Sequence, residues 1–214
     1  MKAIFPKITL RRFTGMVLGN VGLAVSVCFF RMAALGNDPF SGMMVAITEF
    51  TGVKYSICLI TLNCFLFLLE IFKGRDMIGL GTLVNWFLIG YIVDFLYPFM
   101  VDFGHNTLMW QRIIYLALGV IITSMGCSMY QQAKAGIAPY DSISLIFDRE
   151  TKVPYFWCRM ATDVMCVIVC FALGGLLGVG TIICAFGLGP FISFFNRTTS
   201  AAFYGTKKQN TKNP

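Results

Sequence analysis

Apolar positions run along this chain in stretches of about twenty residues, divided by short polar breaks. A helix of that length spans about 30 Å of hydrocarbon at 1.5 Å per residue. Six such spans are expected, at about 13–34, 55–73, 78–99, 112–133, 155–174 and 178–196. Two shorter pieces, about 39–51 and 139–150, follow the first and fourth spans. Each begins with a proline, Pro39 or Pro139, which suits the first turn of a helix. Each has about a dozen residues, too few to cross the bilayer. The pattern predicts an all-α, polytopic transmembrane bundle in which two short helices enter the membrane and turn back.

The chain also repeats itself. Gly36-Asn37-Asp38-Pro39-Phe40-Ser41 is answered by Gly136-Ile137-Ala138-Pro139-Tyr140-Asp141, and Thr51 to Tyr55 by Thr151 to Tyr155. One residue out of step, Gly79-Leu80-Gly81-Thr82 returns as Gly178-Val179-Gly180-Thr181, and Gly90 as Gly189. Duplicated halves are a common plan for membrane transporters. Two halves of about three spans plus one re-entrant helix would be inverted relative to each other. If the short helices crossed instead, the halves would be parallel. The expected division is a basic N-terminus (1–12), a first repeat (13–100), a connecting loop (101–111), a second repeat (112–196) and a polar, disordered tail (197–214).

Composition agrees with a membrane protein. The chain is 57% hydrophobic and 13% charged, with a mean hydropathy of +0.74. Soluble domains carry about 25% charged residues. The net charge of +7 gives no reason to expect a nucleic-acid partner, because the basic residues gather at the ends of apolar runs. Lys2, Lys7, Arg11 and Arg12 precede the first span, and Arg197, Lys207, Lys208 and Lys212 follow the last. This positive-inside pattern places both termini in the cytoplasm. The first apolar stretch exceeds a usual signal-peptide core and no small-x-small cleavage site follows it, so it reads as a retained helix. Eight cysteines occur without a CxxC pair, most of them inside apolar runs, where small-residue packing is the expected role.

Gly81-Thr82-Leu83-Val84-Asn85, continuing to Gly90 and Asp94, resembles the first-half signature of the YczE-like proteins of the broader YitT group. Gly136, Pro139-Tyr140-Asp141, Thr151 and the run from Gly174-Gly175 to Thr181 resemble the second-half signature. The resemblance covers about residues 10–196. It implies a multipass protein of the bacterial plasma membrane and supplies no substrate. The family tends to carry an acid two residues after the proline in both halves. Asp141 fits, but Ser41 stands there in the first half, with Asp38 before the proline.

Polar groups at bilayer depth need a reason. Asp163 lies about eight residues into its span, and its repeat mate Asn63 is equally deep. Inverted-repeat transporters place substrate or ion at such a midplane pair. Alternatively, Arg159, one turn away, pairs with Asp163 and only locks helices together. The starts of the short helices expose backbone N–H groups near Asp38/Ser41 and Asp141/Ser142. These could meet an anionic substrate group or simply be capped. Asn85 and Asp94 are further candidates on the third span. Gly36, Gly136, Pro39, Pro139, Thr82 and Thr181 are expected to shape helix starts. Arg31, Lys54, Lys134 and Lys152 suit snorkelling anchors. Trp86, Trp110 and Trp157, with Tyr97, Tyr130 and Tyr155, suit interfacial anchors.

The only histidine is His105, and no HExxH, GxSxG or phosphate-cradling motif occurs, so neither an enzyme nor a bound cofactor or metal is expected. The expected partners are the lipid bilayer, a small-molecule or ion substrate, and a protein partner or second copy of the chain. The sequence points to a small-solute permease whose repeats rock around Asn63 and Asp163. The alternative is a non-transporting scaffold or accessory factor. A cavity walled by both halves and holding Asp163 favours the permease; a closed interface with Asp163 fully paired favours the scaffold.

Overall fold

The computed structural model describes residues 9–103, 108–151, 153 and 155–204. Among these are nine α-helices and no strand. They are α1 (Leu10–Ala33), α2 (Pro39–Thr51), α3 (Tyr55–Lys73), α4 (Leu80–Phe103), α5 (Met109–Gln132), α6 (Pro139–Thr151), α7 (Tyr155–Ala172), α8 (Val179–Arg197) and α9 (Thr199–Tyr204). Five are long and apolar enough to cross a membrane: α1, α3, α4, α5 and the run from α8 through α9. The 18-residue α7 spans about 27 Å. The all-α membrane bundle read from the sequence is therefore the architecture observed.

Helices α1 and α5 form the central seam. A Cβ on Gly19 would lie 2.7 Å from the Gly126 carbonyl oxygen, and one on Gly119 would lie 2.8 Å from the Phe30 ring. Position 19 meets 126 while position 30 meets 119, so the two helices run antiparallel. The glycines allow this close backbone approach, as small residues do in membrane helix pairs.

The segments that lead into the short helices dock on the opposite half. The Gly81 N–H donates to the Ala135 carbonyl at 2.7 Å, and the Gly180 N–H to the Leu35 carbonyl at 2.8 Å. Gly36 has φ +105° and Gly136 φ +121°. A Cβ would lie 2.6 Å from Thr181 Oγ1 at Gly36 and 2.7 Å from Thr82 Oγ1 at Gly136. Conformation and space both demand glycine there. Beyond these turns α2 packs on α7, and α6 packs on α3.

Both short helices start in the middle of the bundle, where the Phe40 and Tyr140 rings stack with centroids 4.2 Å apart. Pro39 opens α2, and the Asp38 carboxylate caps it by accepting the Ser41 N–H at 3.0 Å. Helix α2 then returns toward the end of α1, because Glu49 comes within 3.9 Å of Arg31. In the second half, Glu150 near the end of α6 meets Lys73 at the end of α3, 2.9 Å apart.

Three expectations need correction. The tail is not disordered from residue 197: α9 forms over Thr199–Tyr204. Its Ser-Ala-Ala-Phe-Tyr stretch is apolar enough to pack. The Tyr204 hydroxyl donates to the Met129 carbonyl at 2.8 Å, and Ser200 Oγ meets Ser128 Oγ at 2.5 Å. Trp86 and Tyr130 are not interfacial anchors, being 8% and 1% exposed. Trp86 instead donates its indole N–H to the Ile60 carbonyl at 2.9 Å, inside the α3–α4 contact. The connecting loop is shorter than 101–111, since α4 runs to Phe103 and α5 starts at Met109. His105, Lys2, Lys7, Lys152, Lys207, Lys208, Lys212 and the Tyr155 side chain lie outside the described residues.

Candidate functional site

A cavity of about 620 Å³ lies between the halves, and every helix from α1 to α8 contributes to its wall. The starts of α2 and α6 bring in Asp38, Ser41, Tyr140 and Asp141. The interior of α3 brings Tyr55 and Asn63, α4 brings Asn85, and α7 brings Arg159 and Asp163. The short helices place their N-terminal residues in this wall because they begin at mid-bundle.

Arg159 organises the charged side. Its Nη1 donates to Asp141 Oδ1, and its Nε lies 3.4 Å from Asp163 Oδ1. The guanidinium carbon sits 4.7 Å from the Tyr140 ring centroid. The Tyr140 hydroxyl donates to Asp163 Oδ1 at 2.5 Å. Asp163 and Asp141 are 7% and 9% exposed. Charged groups this deep need such partners. Asp38, across the cavity, has no cationic side chain paired with it among the described residues and only caps α2.

Asn63 is 2% exposed and lines the wall. Thr123, also on the wall, has a buried Oγ1 without a partner. Asn85 is committed: its Nδ2 donates to Asn20 Oδ1 at 2.7 Å.

The remaining sequence candidates serve the fold. Ser142 lies off the cavity and donates to the Pro139 carbonyl at 2.8 Å. Asp94 is also off the cavity and accepts the Ser56 N–H at 3.0 Å, so a residue of α4 caps α3. Thr82 accepts the Gly79 N–H at 3.2 Å and donates to the Ile137 carbonyl at 2.8 Å, fixing the α6 entry turn. Thr181 faces Gly36 at the matching place, its buried hydroxyl unpartnered. Tyr55, Phe40 and Tyr140 are wall residues that the sequence did not single out. Tyr140 had a signal, since it follows Pro139 inside the repeated motif. Phe40 and Tyr140 also border a second, apolar groove of about 540 Å³. Their stacked rings divide it from the polar cavity.

One side of the cavity is sealed and the other is open. Between α3 and α4, Gly90 is buried, and a Cβ there would lie 2.7 Å from the Ser56 Cα. The Trp86–Ile60 and Asp94–Ser56 bonds join the same two helices. The repeat mates of Trp86, Gly90 and Asp94 are Ala185, Gly189 and Ser193 on α8. Among the described residues α8 does not pack along α7 as α4 packs along α3. A Cβ on Gly189 would meet nothing within 4 Å. Gly189 and Ser193 are exposed, and both line the cavity. Gln131 and Asn196 continue the wall toward the end of the bundle where Arg11 donates to the Ala202 carbonyl at 3.3 Å. The mouth thus faces the end that holds the start of α1 and the end of α8.

Comparison with known proteins agrees with the YczE-like resemblance. The model of a family of unknown function, DUF6198, matches residues 10–197. An uncharacterized membrane protein of Bacillus subtilis (strain 168), YczE, is 24% identical over 182 residues, covering 85% of this chain and 82% of the relative. An uncharacterized protein of Haemophilus influenzae (strain ATCC 51907 / DSM 11121 / KW20 / Rd) is 22% identical over 165 residues, 77% of this chain and 73% of its own. The uncharacterized protein YyaS of Bacillus subtilis (strain 168) is 21% identical over 173 residues, 79% and 82% of the two chains. No solved structure matches.

Proposed function

We propose a function from the site itself, since the chain belongs to the DUF6198 family, whose function is unknown. The reading is a small-solute permease of the bacterial plasma membrane, not an enzyme, built from two inverted halves that alternate access to the cavity. The observation that carries it is the cavity of about 620 Å³ walled by both halves, sealed between α3 and α4 and open between α7 and α8.

Inversion of the halves is supported by the antiparallel α1 and α5, which are repeat mates. Re-entrant short helices are supported by the return of Glu49 to Arg31. A structure sealed at one pair of repeat mates and open at the other is what one state of an inverted-repeat carrier looks like. In the other state α7 and α8 would close as α3 and α4 do now, and α3 and α4 would part. With the basic termini in the cytoplasm, the present mouth faces inward. The Asp163–Arg159 pairing fits the scaffold reading as well, but a pure scaffold gives no account of the cavity.

Flux decides the matter. The protein reconstituted in proteoliposomes should carry at least one member of a broad solute panel, and Asp163→Asn should abolish that flux while the protein stays folded. Full activity in that variant would remove Asp163 from the mechanism. A cysteine replacing Leu108, labelled from the cytoplasmic side in cells, would overturn the inverted arrangement, which places that residue outside.

A further inference from the structure

We propose that the cavity takes a small organic cation; this rests on reading the cavity as a solute site. The charged side chains on the described wall are Asp38, Asp141, Asp163 and Arg159. Three carboxyl groups face one guanidinium, so acidic groups outnumber basic ones on this wall. Arg159 is shared between Asp141 and Asp163. Asp38 makes no direct ion pair among the described residues, and one of its oxygens accepts the Ser41 N–H. An anionic solute, which a bare helix start would attract, meets a carboxylate at the α2 start and a carboxylate already held by Arg159 at the α6 start. The arrangement disfavours anions at both places.

One uncharged group points to a ligand independently of the acids. Thr123 lines the wall at 5% exposed, and its buried Oγ1 has no hydrogen-bond partner, while the 2% exposed Asn63 lines the same space. Buried polar groups are rarely left so, and an unmade bond at a cavity is a place for a solute to make one. The rest of the recognition is aromatic and apolar. Tyr55, Phe40 and Tyr140 line the same space, with Leu59 and Ile89 beside them. Aromatic faces attract ammonium and guanidinium groups. A volume of about 620 Å³ suits an organic molecule. A bare metal ion would need a close cage of oxygens, and no cluster able to hold one occurs among the described residues. The solute's charged head sits at Asp38, its polar atoms at Asn63 and its carbon body along the rings.

The test uses full-length protein in nanodiscs and three matched probes: phenethylammonium, 2-phenylethanol and phenylacetate. Phenethylammonium should bind at least about tenfold more tightly than the alcohol, and phenylacetate should not bind. Asp38→Asn should weaken ammonium binding by about tenfold or more at an unchanged melting temperature, because asparagine caps a helix as well as aspartate does. If that variant misfolds, Asp38→Ser keeps the cap and serves the same measurement. Equal binding of ammonium and alcohol, preference for phenylacetate, no ammonium binding, or unchanged binding without the Asp38 charge would each overturn the proposal. Flux separates it from the permease reading. Phenethylammonium bound while no solute of the panel is carried ends the permease and keeps the cation site. Phenylacetate bound and carried does the reverse.

Discussion

The two halves use matching helices for opposite jobs. In the first half α3 and α4 close on each other through Gly90, the Trp86 indole and the Asp94 carboxylate. In the second half the same places hold Gly189, Ala185 and Ser193, and α7 and α8 stand apart. Both halves keep a glycine at the crossing point. Gly90 is needed now, while Gly189 has no present neighbour that requires it. Under alternating access it is kept for the state in which α7 and α8 meet. The latch residues differ, however, because Ala185 and Ser193 have no indole and no carboxylate. On the permease reading the two closures would differ in strength, and the state open between α7 and α8 would be held by bonds that its counterpart lacks.

The largest effect is expected from the glycine pair. Gly90→Ala pushes a methyl group into the Ser56 backbone and should lower stability by about 1–3 kcal/mol in thermal or denaturant unfolding. Gly189→Ala should leave stability within about 0.5 kcal/mol yet stop flux, because it obstructs the closing of α7 on α8. Equal melting losses in the two variants would mean that the halves are not differently closed.

Next comes the cap. Asp94→Ala removes the acceptor at the start of α3 and should cost about 1 kcal/mol, whereas Ser193→Ala at the matching place should cost nothing measurable. Replacing Trp86 by phenylalanine should have a comparable effect, about 0.5–1.5 kcal/mol, for the lost indole hydrogen bond. The difference between the sides can also be read without energies. A cysteine at Ser193 should react with an aqueous maleimide, and one at Ser56 should not. Equal labelling of both would erase the contrast.

The bundle and its short helices were legible in the sequence because membrane helices are written as apolar length and proline-led starts. The tail was misread because its lysines dominate the composition, while the short run before them, Ser200 to Tyr204, has Met129 and Ser128 to bond with. Asp163 and Asn63 could be found as deep polar repeat mates. The Arg159 bridge to Asp141 could not, because it joins α7 to α6, and a sequence shows only partners one turn apart. The mouth was illegible for a different reason. Gly90 and Gly189 look alike as letters, and only packing tells which is covered. Trp86 was taken for an interfacial anchor because an indole in an apolar span has the same sequence signature whether it faces lipid headgroups or the Ile60 carbonyl.

The exchanged loops have a consequence for how the protein is made. The Gly81 N–H needs the Ala135 carbonyl, and the Leu35 carbonyl waits for the Gly180 N–H. Hydrocarbon offers such groups no substitute. The leading half therefore leaves the ribosome unfinished and stays so until the last long helix has been inserted. Expressed alone, residues 1–103 should be degraded; supplied in the same cell with the remainder of the chain, they should persist. On this account the halves complete each other's backbone bonds in one late step of assembly.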